Sequence, residues 1–377
     1  MANKYTAQIF HEFDERLKSV WLDIQERCEL TPFQTYEWLS IWNRTVGMHR
    51  LKISPLVFCI YYEQLPVALF PYGIRNVFGL RVLEYLGGDQ ADYNAPLVCQ
   101  AWTNQERFEA IWNTLLDELP QYDVSNFTRM PEKVGEHVNP LIAMLAAHHQ
   151  SYAYSARLTQ SWEEFSARLP KKMLKDNSRM MRRLNDLGRV EFKTASSSEE
   201  FIELVETMFE QKRRRCRETG VRDIMADGYV RDFYRTLRQC TSGRFVVNLS
   251  ALKVDDEILA TTLGVIFRNN YSYLVPTYIG GDYAKFSPGR LLLEYLVKSS
   301  VDEHLTCFDF TVGSEAYKTI WCDQQISLYR RVEGRSMIGS VFVIWLGLVE
   351  WVKKNQYSRA AVTKVVRLLR GASSARK

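Results

Sequence analysis

The sequence predicts an α/β chain on an α+β mixed sheet, arranged as two successive domains and a helical tail. Three observations predict it. The 377 residues exceed what one ordinary core organises and suffice for two. Apolar runs bounded by tight turns alternate with amphipathic helical patterns. After about residue 156 a similar order of elements begins again. At 46% hydrophobic and 25% charged residues the chain is a folded globular protein, which excludes a disordered or low-complexity one.

Residues 8–28 read as an amphipathic helix. A Pro turn in "PFQTYEW" leads into an aromatic-rich helix from about Tyr36. "ISPLVFCIYYEQLPVALFPYGI" alternates and turns at Glu63-Gln64, the mark of a β-hairpin. Strand, Gly87-Gly88 turn, loop and strand follow, then a helix over 103–119 and a strand ending in "YDVSNFTRMP". His148-His149 reads as a solvated pair at a helix end. In the second half, residues 161–188 read as helix with a break at Pro170 and a stop at Gly188. "VEFKTAS" reads as a strand, and Ser197 with Glu200 forms a capping box opening a long helix. A further helix ends at Gly243, and strands follow with turns at Asp255-Asp256 and Asn269-Asn270. An offset of 192 lays the two hairpins over each other with Ala68 against Ala260. Two related halves and two ordinary hairpins both fit that overlay.

Seven scattered cysteines without a C-x-x-C, and six histidines without an H-E-x-x-H, point to no disulfide framework and no metal site. The start lacks the charged-then-apolar order of a secretory signal, so the expected location is cytoplasmic. Residues 353–377 carry eight Lys or Arg and no acid, so of the net +5 the first 352 residues hold 5 − 8 = −3. Nucleic acid is therefore not an expected partner of the body.

"SPGR" at 287–290 runs straight into an apolar helix. Helix N-termini present unpaired N–H groups and partial positive charge, so Ser287, Gly289, Arg290 and Leu291 could hold a phosphate. An ordinary cap, with Ser287 at the N-cap and Pro288 at N1, fits the same spacing. Upstream lies the apolar strand "YSYLVPTYIG"; downstream "FDFTVGSEAYKTIW" gathers Asp309, Glu315, Tyr317 and Lys318 around a strand end. Ligands of α/β folds bind at carboxyl ends of strands.

On "PFQTYEW" (32–38), "GGDQADY" (87–93), the basic run "KKMLKDNSRMMRRLNDLG" (171–188), "SPGRLLL" (287–293) and "FDFTVGSEAYKTIW" (308–321), the chain resembles the Fem-like and CelD-like double-GNAT acyltransferases over about residues 30–330. The resemblance implies tandem GNAT-like domains with a C-terminal helical tail: residues 1–155 on the acceptor side, 156–335 on the acyl-donor side, and 336–377 as tail. It implies transfer of an acyl group from acyl-CoA, with acetyl-CoA as first expectation, to an amine or hydroxyl of a saccharide or nucleotide-linked precursor. The usual phosphate loop of single GNAT domains is reduced here to "SPGR", a form shared with relatives that take amino acids from aminoacyl-tRNA. Aminoacyl transfer is thus one alternative, and a non-catalytic scaffold for a membrane complex another.

Asp309 or Glu315 could act as base, Tyr317 could protonate a leaving thiolate and Lys318 could steady a developing anion. A turn-capping Asp309, a solvated Glu315, a half-buried Tyr317 and a Lys318 snorkelling over Trp321 are the structural readings of the same residues. By resemblance Gln34, Tyr36, Trp38, Asp92 and Tyr93 face the acceptor; otherwise they are core aromatics and an Asx turn. The cationic face of 171–183 is either solvated or an attractor for a polyanion. From Ser336 to Val349 no residue is charged, 14 in all, which is too short to span a bilayer. With the basic amphipathic "SRAAVTKVVRLLRG" it suits the inner face of a membrane, the body or a homodimer partner.

Overall fold

The computed structural model describes residues 4–354. The N-terminal half contributes strands β1 (Tyr5–Phe10), β2 (Ser54–Tyr62), β3 (Leu65–Val77), β4 (Leu80–Tyr85), β5 (Leu97–Val98), β6 (Val124–Pro131), the two-residue pair β7 (Lys133–Val134) and β8 (His137–Val138), and β9 (His148–Arg157). Its helices are α1 (Glu15–Arg27), α2 (Tyr36–Trp42), α3 (Gln105–Glu118) and α4 (Pro140–Met144). The C-terminal half adds β10 (Val190–Thr194), β11 (Phe245–Val254), β12 (Glu257–Phe267), β13 (Asn270–Tyr278), β14 (Cys307–Val312) and β15 (Gln324–Gly334). Its helices are α5 (Trp162–Ser166), α6 (Lys171–Asn185), α7 (Ser198–Thr219), α8 (Gly228–Thr236), α9 (Pro288–Asp302), α10 (Lys318–Trp321) and α11 (Met337–Lys354).

One mixed sheet runs through both halves in the order β1-β2-β3-β4-β6-β15-β9-β14-β13-β12-β11-β10. Each half lays four antiparallel strands beside a fifth that is parallel to the fourth, β4 with β6 and β13 with β14. The strands then exchange. β9 ends the N-terminal half in sequence yet pairs with β14, and β15 follows β14 yet pairs with β6. β9 and β15 also pair with each other and close the sheet at its centre. The hairpin overlay is met in register: Ile60 faces Ala68 and Leu252 faces Ala260, and each hairpin has its irregularity at the next residue, Ile60/Tyr61 and Leu252/Lys253.

Two expectations give way. The helix expected over 8–28 begins only at Glu15; Asp14 caps α1 by accepting from the Leu17 N–H at 2.8 Å, and residues 8–10 belong to β1, which pairs with β2. His148 and His149 do not end a helix but begin β9, opposite Arg330 and Tyr329. The Ser197–Glu200 capping box is present at the start of α7.

Helices cover both faces of the sheet. Trp21, Trp38 and Trp42 of α1 and α2 share one core with Phe201 and Phe209 of α7, Phe233 of α8, and Leu263 and Val265 of β12. That core crosses the boundary between the halves, with Trp38 edge-on to Phe233 at 5.0 Å. On the opposite face α3 packs Phe108, Ile111 and Leu115 against β2 and β3, while α9 packs Leu292, Leu296 and Val297 in a cluster with Leu252 of β11, Leu259 of β12 and Tyr271 of β13. All seven cysteines are free thiols.

Candidate active site

The site is built where the sheet opens. β13 and β14 pair only from Asn270↔Cys307 to Ser272↔Asp309. Beyond that level β13 continues from Tyr273 to Tyr278, roughly 20 Å at about 3.3 Å per residue, without a partner strand on that side among the described residues. The result is a wedge with Asp309 at its apex. α9 begins after the short turn that follows β13, so its N-terminus stands at the wide end of the same wedge.

At the apex Asp309 Oδ1 accepts from the Tyr93 hydroxyl at 2.8 Å and from the Thr311 N–H at 2.8 Å. Its Oδ2 has no hydrogen-bond partner among the described residues. Burial pushes the Asp309 carboxyl up to about 6; the Thr311 and Tyr93 donors oppose this, and nearby Asp92 adds to it. Thr311 has φ 57°, a left-handed conformation that is costly for a β-branched residue. It sits at the register shift between β14 and β9, where the strand turns its N–H back onto Asp309.

Lys318 lies beneath this turn, 3% exposed. Its ammonium donates to the Val312 carbonyl at 2.8 Å and the Thr311 carbonyl at 3.3 Å, and pairs with Glu315 at 3.1 Å. All three N–H bonds are therefore engaged. Lys318 does not snorkel on the surface; its ammonium is tied to the strained end of β14. Glu315, exposed, screens that lysine. The Tyr317 hydroxyl has no partner among the described residues, and burial raises its pKa, so it keeps its proton at neutral pH.

The N-terminal half reaches the apex through the loop after Gly87-Gly88. Asp92 lies 3.8 Å from Arg129, and burial raises the Asp92 carboxyl while Arg129 opposes the shift. Arg129 also donates to the Ala91 carbonyl at 2.7 Å. Gln34 is buried, donates to the Tyr93 carbonyl at 2.6 Å and so positions the loop from beneath. Of the expected acceptor-facing residues, Tyr93 and Asp92 are brought to Asp309; Gln34, Tyr36 and Trp38 are not. Trp38 is 1% exposed and covered by Phe33 and Phe233, and Tyr36 packs on Phe13 and Trp21. The aromatic pattern of 32–38 is thus core. Arg129 was not singled out from the sequence; a lone cation in the strand "NFTRM" was the only signal.

At the wide end Ser287 has φ 53° and makes no side-chain cap. Its carbonyl accepts from both Arg290 N–H at 2.9 Å and Leu291 N–H at 3.2 Å. The Ser287 N–H donates to the Ala284 carbonyl at 3.0 Å, so of the four expected backbone donors only the Gly289 N–H is left unpaired among the described residues. Leu291 is buried and serves packing. The Ser287 hydroxyl is unengaged among the described residues, and the Arg290 Nε is buried without a partner. A Cβ on Gly289 would stand 3.2 Å from the Tyr278 ring. Cations gather here: Arg183 of α6 and Lys285 lie over the Phe286 ring at 5.3 and 5.2 Å, and Arg215 lies over Tyr278 at 6.0 Å. Lys171, Lys172, Lys175, Arg179 and Arg182 of α6 are exposed. Among the described residues no group of His, Cys, Asp or Glu is arranged to hold a metal ion.

Residues 171–319 match the family model described as an acetyltransferase (GNAT) domain. Among solved structures, FemX is similar with TM-score 0.57 and 10% identity, covering 85% of this chain and 96% of its own. The C-terminal domain of a protein described as a lysylphosphatidylglycerol synthetase from Agrobacterium fabrum is similar with TM-score 0.52 and 10% identity, covering 88% and 95%. The L-PGS of Bacillus licheniformis follows with TM-score 0.50 and 12% identity, covering 89% and 98%. At these identities the likeness is one of fold. No curated protein sequence matches the chain.

Proposed function

We infer that this chain, which carries a GNAT acetyltransferase domain in a Fem-like double-GNAT fold, transfers an acyl group from acyl-CoA to the amine of a saccharide or nucleotide-linked precursor. The wedge between β13 and β14 carries the reading. Its β13 side, Tyr273–Thr277, is paired by no strand across the wedge among the described residues, and its backbone groups there suit the amides of an extended thioester arm; the Tyr278 carbonyl at its end is already held by Arg214 at 2.8 Å. Its wide end offers the Gly289 N–H, Arg290, Lys285 and Arg183 for the carrier's phosphates. Its apex offers Asp309.

The acceptor nitrogen attacks the thioester carbonyl, and Asp309 Oδ2 takes the proton that nitrogen loses. A carboxylate held near pH 6 is ionised at neutral pH yet basic enough to accept it. The C–S bond breaks, and Tyr317 gives its proton to the departing thiolate. Tyr93 and the Thr311 N–H hold Asp309 in place, and Lys318 holds Thr311. Asp92 and Arg129 stand on the acceptor side and fit a polar, hydroxylated substrate better than the aromatic platform expected from 32–38.

One observation favours aminoacyl-tRNA as donor: the exposed cations of α6 extend the positive surface beyond what one CoA needs. The lysylphosphatidylglycerol synthetases that share the fold are named for aminoacyl transfer. Thermal denaturation separates the two. Coenzyme A should raise the melting temperature of the protein, and Gly289→Val should remove that rise, with the unliganded transition lowered only by what the Tyr278 ring must give to the new side chain. Salt-sensitive retention of tRNA with no response to coenzyme A supports the second donor instead.

A further inference from the structure

α11 is apolar on two faces, and only one is covered. Gly339, Phe342, Val343, Leu346 and Val349 turn inward, and the helix packs on β15. On the outer side Ile338, Val341, Ile344, Trp345, Leu348 and Trp351 follow helical spacing and are all exposed, Ile344 by 64% and Leu348 by 58%. Glu350 is the only acid of the helix, and Arg330 holds it by two hydrogen bonds at 3.1 and 3.0 Å. Lys353 and Lys354 end the helix, and the basic amphipathic run expected at 358–371 lies outside the described residues. Among the described residues no helix is long and apolar enough to cross a membrane.

We propose that the outer face of α11 docks on an anionic lipid surface, with the helix lying in the plane of the interface. The inference rests on this helix and on the charge of the sequence that follows it, and not on the acyl-transfer reading. Two tryptophans on an apolar stripe place amphipathic rings at headgroup depth. Eight cations without an acid over 353–377 follow directly, and such a segment is drawn to negatively charged headgroups. A second copy of the chain fits less well. A two-fold contact through this face brings the face onto itself and the two +8 segments near one another.

The test is co-sedimentation of the full chain with vesicles of phosphatidylcholine, alone or mixed with phosphatidylglycerol. Binding is expected to the mixed vesicles only, to weaken with added salt, and to fall by about tenfold or more when Ile344→Asp and Leu348→Asp are combined. Both positions are exposed, so the double variant should keep the parent melting temperature, and Trp345 and Trp351 should be quenched by brominated lipid only in the parent. No sedimentation with mixed vesicles, or equal binding by the double variant, overturns the proposal. So does a parent dimer that I344D/L348D converts to monomer without change in vesicle binding.

Discussion

Asp309 binds its proton more tightly than a solvated aspartate because the folded chain strips water from it faster than Tyr93 and Thr311 replace it. This has two consequences that can be measured separately. As a base, Asp309 must be ionised, so the rate under limiting substrate should rise with pH through about 6. Asp309→Asn should lower the rate by about 10²–10⁴-fold. For stability the sign is opposite. Below the unfolded pKa near 3.8 the carboxyl is protonated in both states and costs nothing. As pH rises through about 6 the folded state must ionise a buried group that the unfolded state ionised more easily, so stability is lost. Asn keeps the acceptor for Tyr93 and Thr311. Asp309→Asn should therefore be more stable than the parent by about 2–3 kcal/mol at pH 8, with the gap closing below pH 4, as urea titrations at the two pH values would show. Asp309 stands out in "FDFTVGSEAYKTIW" and Tyr93 in "GGDQADY", but no spacing shows that the Tyr93 hydroxyl meets the Asp309 carboxylate. The role of Lys318 was not legible, because its partners are carbonyls aimed by the left-handed backbone of Thr311, which no spacing rule shows.

Strands β13 and β14 owe their wedge to the elements behind them. Tyr271 stacks on Phe308 at 4.7 Å across the paired base of the wedge, and Gly264 of β12 leaves room for the Tyr271 ring. A Cβ at Gly264 overlaps the Tyr271 ring atoms, so the ring or the strand must shift. Gly264→Ala should cost about 1–3 kcal/mol, read as a lower urea midpoint with unchanged slope. Most flanking elements were legible because one face of each is buried and the other wet. β9 and β15 were not. They lie mid-sheet where the two halves exchange strands; β15 is mostly half-covered and β9 runs from exposed to buried along its length, so neither carries an apolar alternation. "HHQSYAYSAR" and "QQISLYRRVEG" are central strands by pairing and not by pattern. β1 escaped for a related reason: its residues join the apolar period of α1 until Asp14 interrupts it.

Across the whole molecule the two halves repeat one plan, and yet they diverge at the helix that makes the crossover between the two parallel strands. In the N-terminal half Asn104 caps α3, accepting from the Arg107 N–H at 3.0 Å. In the C-terminal half Ser287 leaves α9 uncapped by a side chain and surrounded by cations. The duplication, visible in sequence only as a hairpin overlay, thus ends in one open helix start and one closed by its own side chain. Asp92 and Tyr93 of the first half complete the apex of the second, so the site belongs to both. Hydrogen–deuterium exchange with and without coenzyme A tests this most directly. Added protection is expected at the start of α9 and along Tyr273–Tyr278, with none at the start of α3. Protection at α3, or an exchange pattern unchanged by saturating coenzyme A, would contradict it.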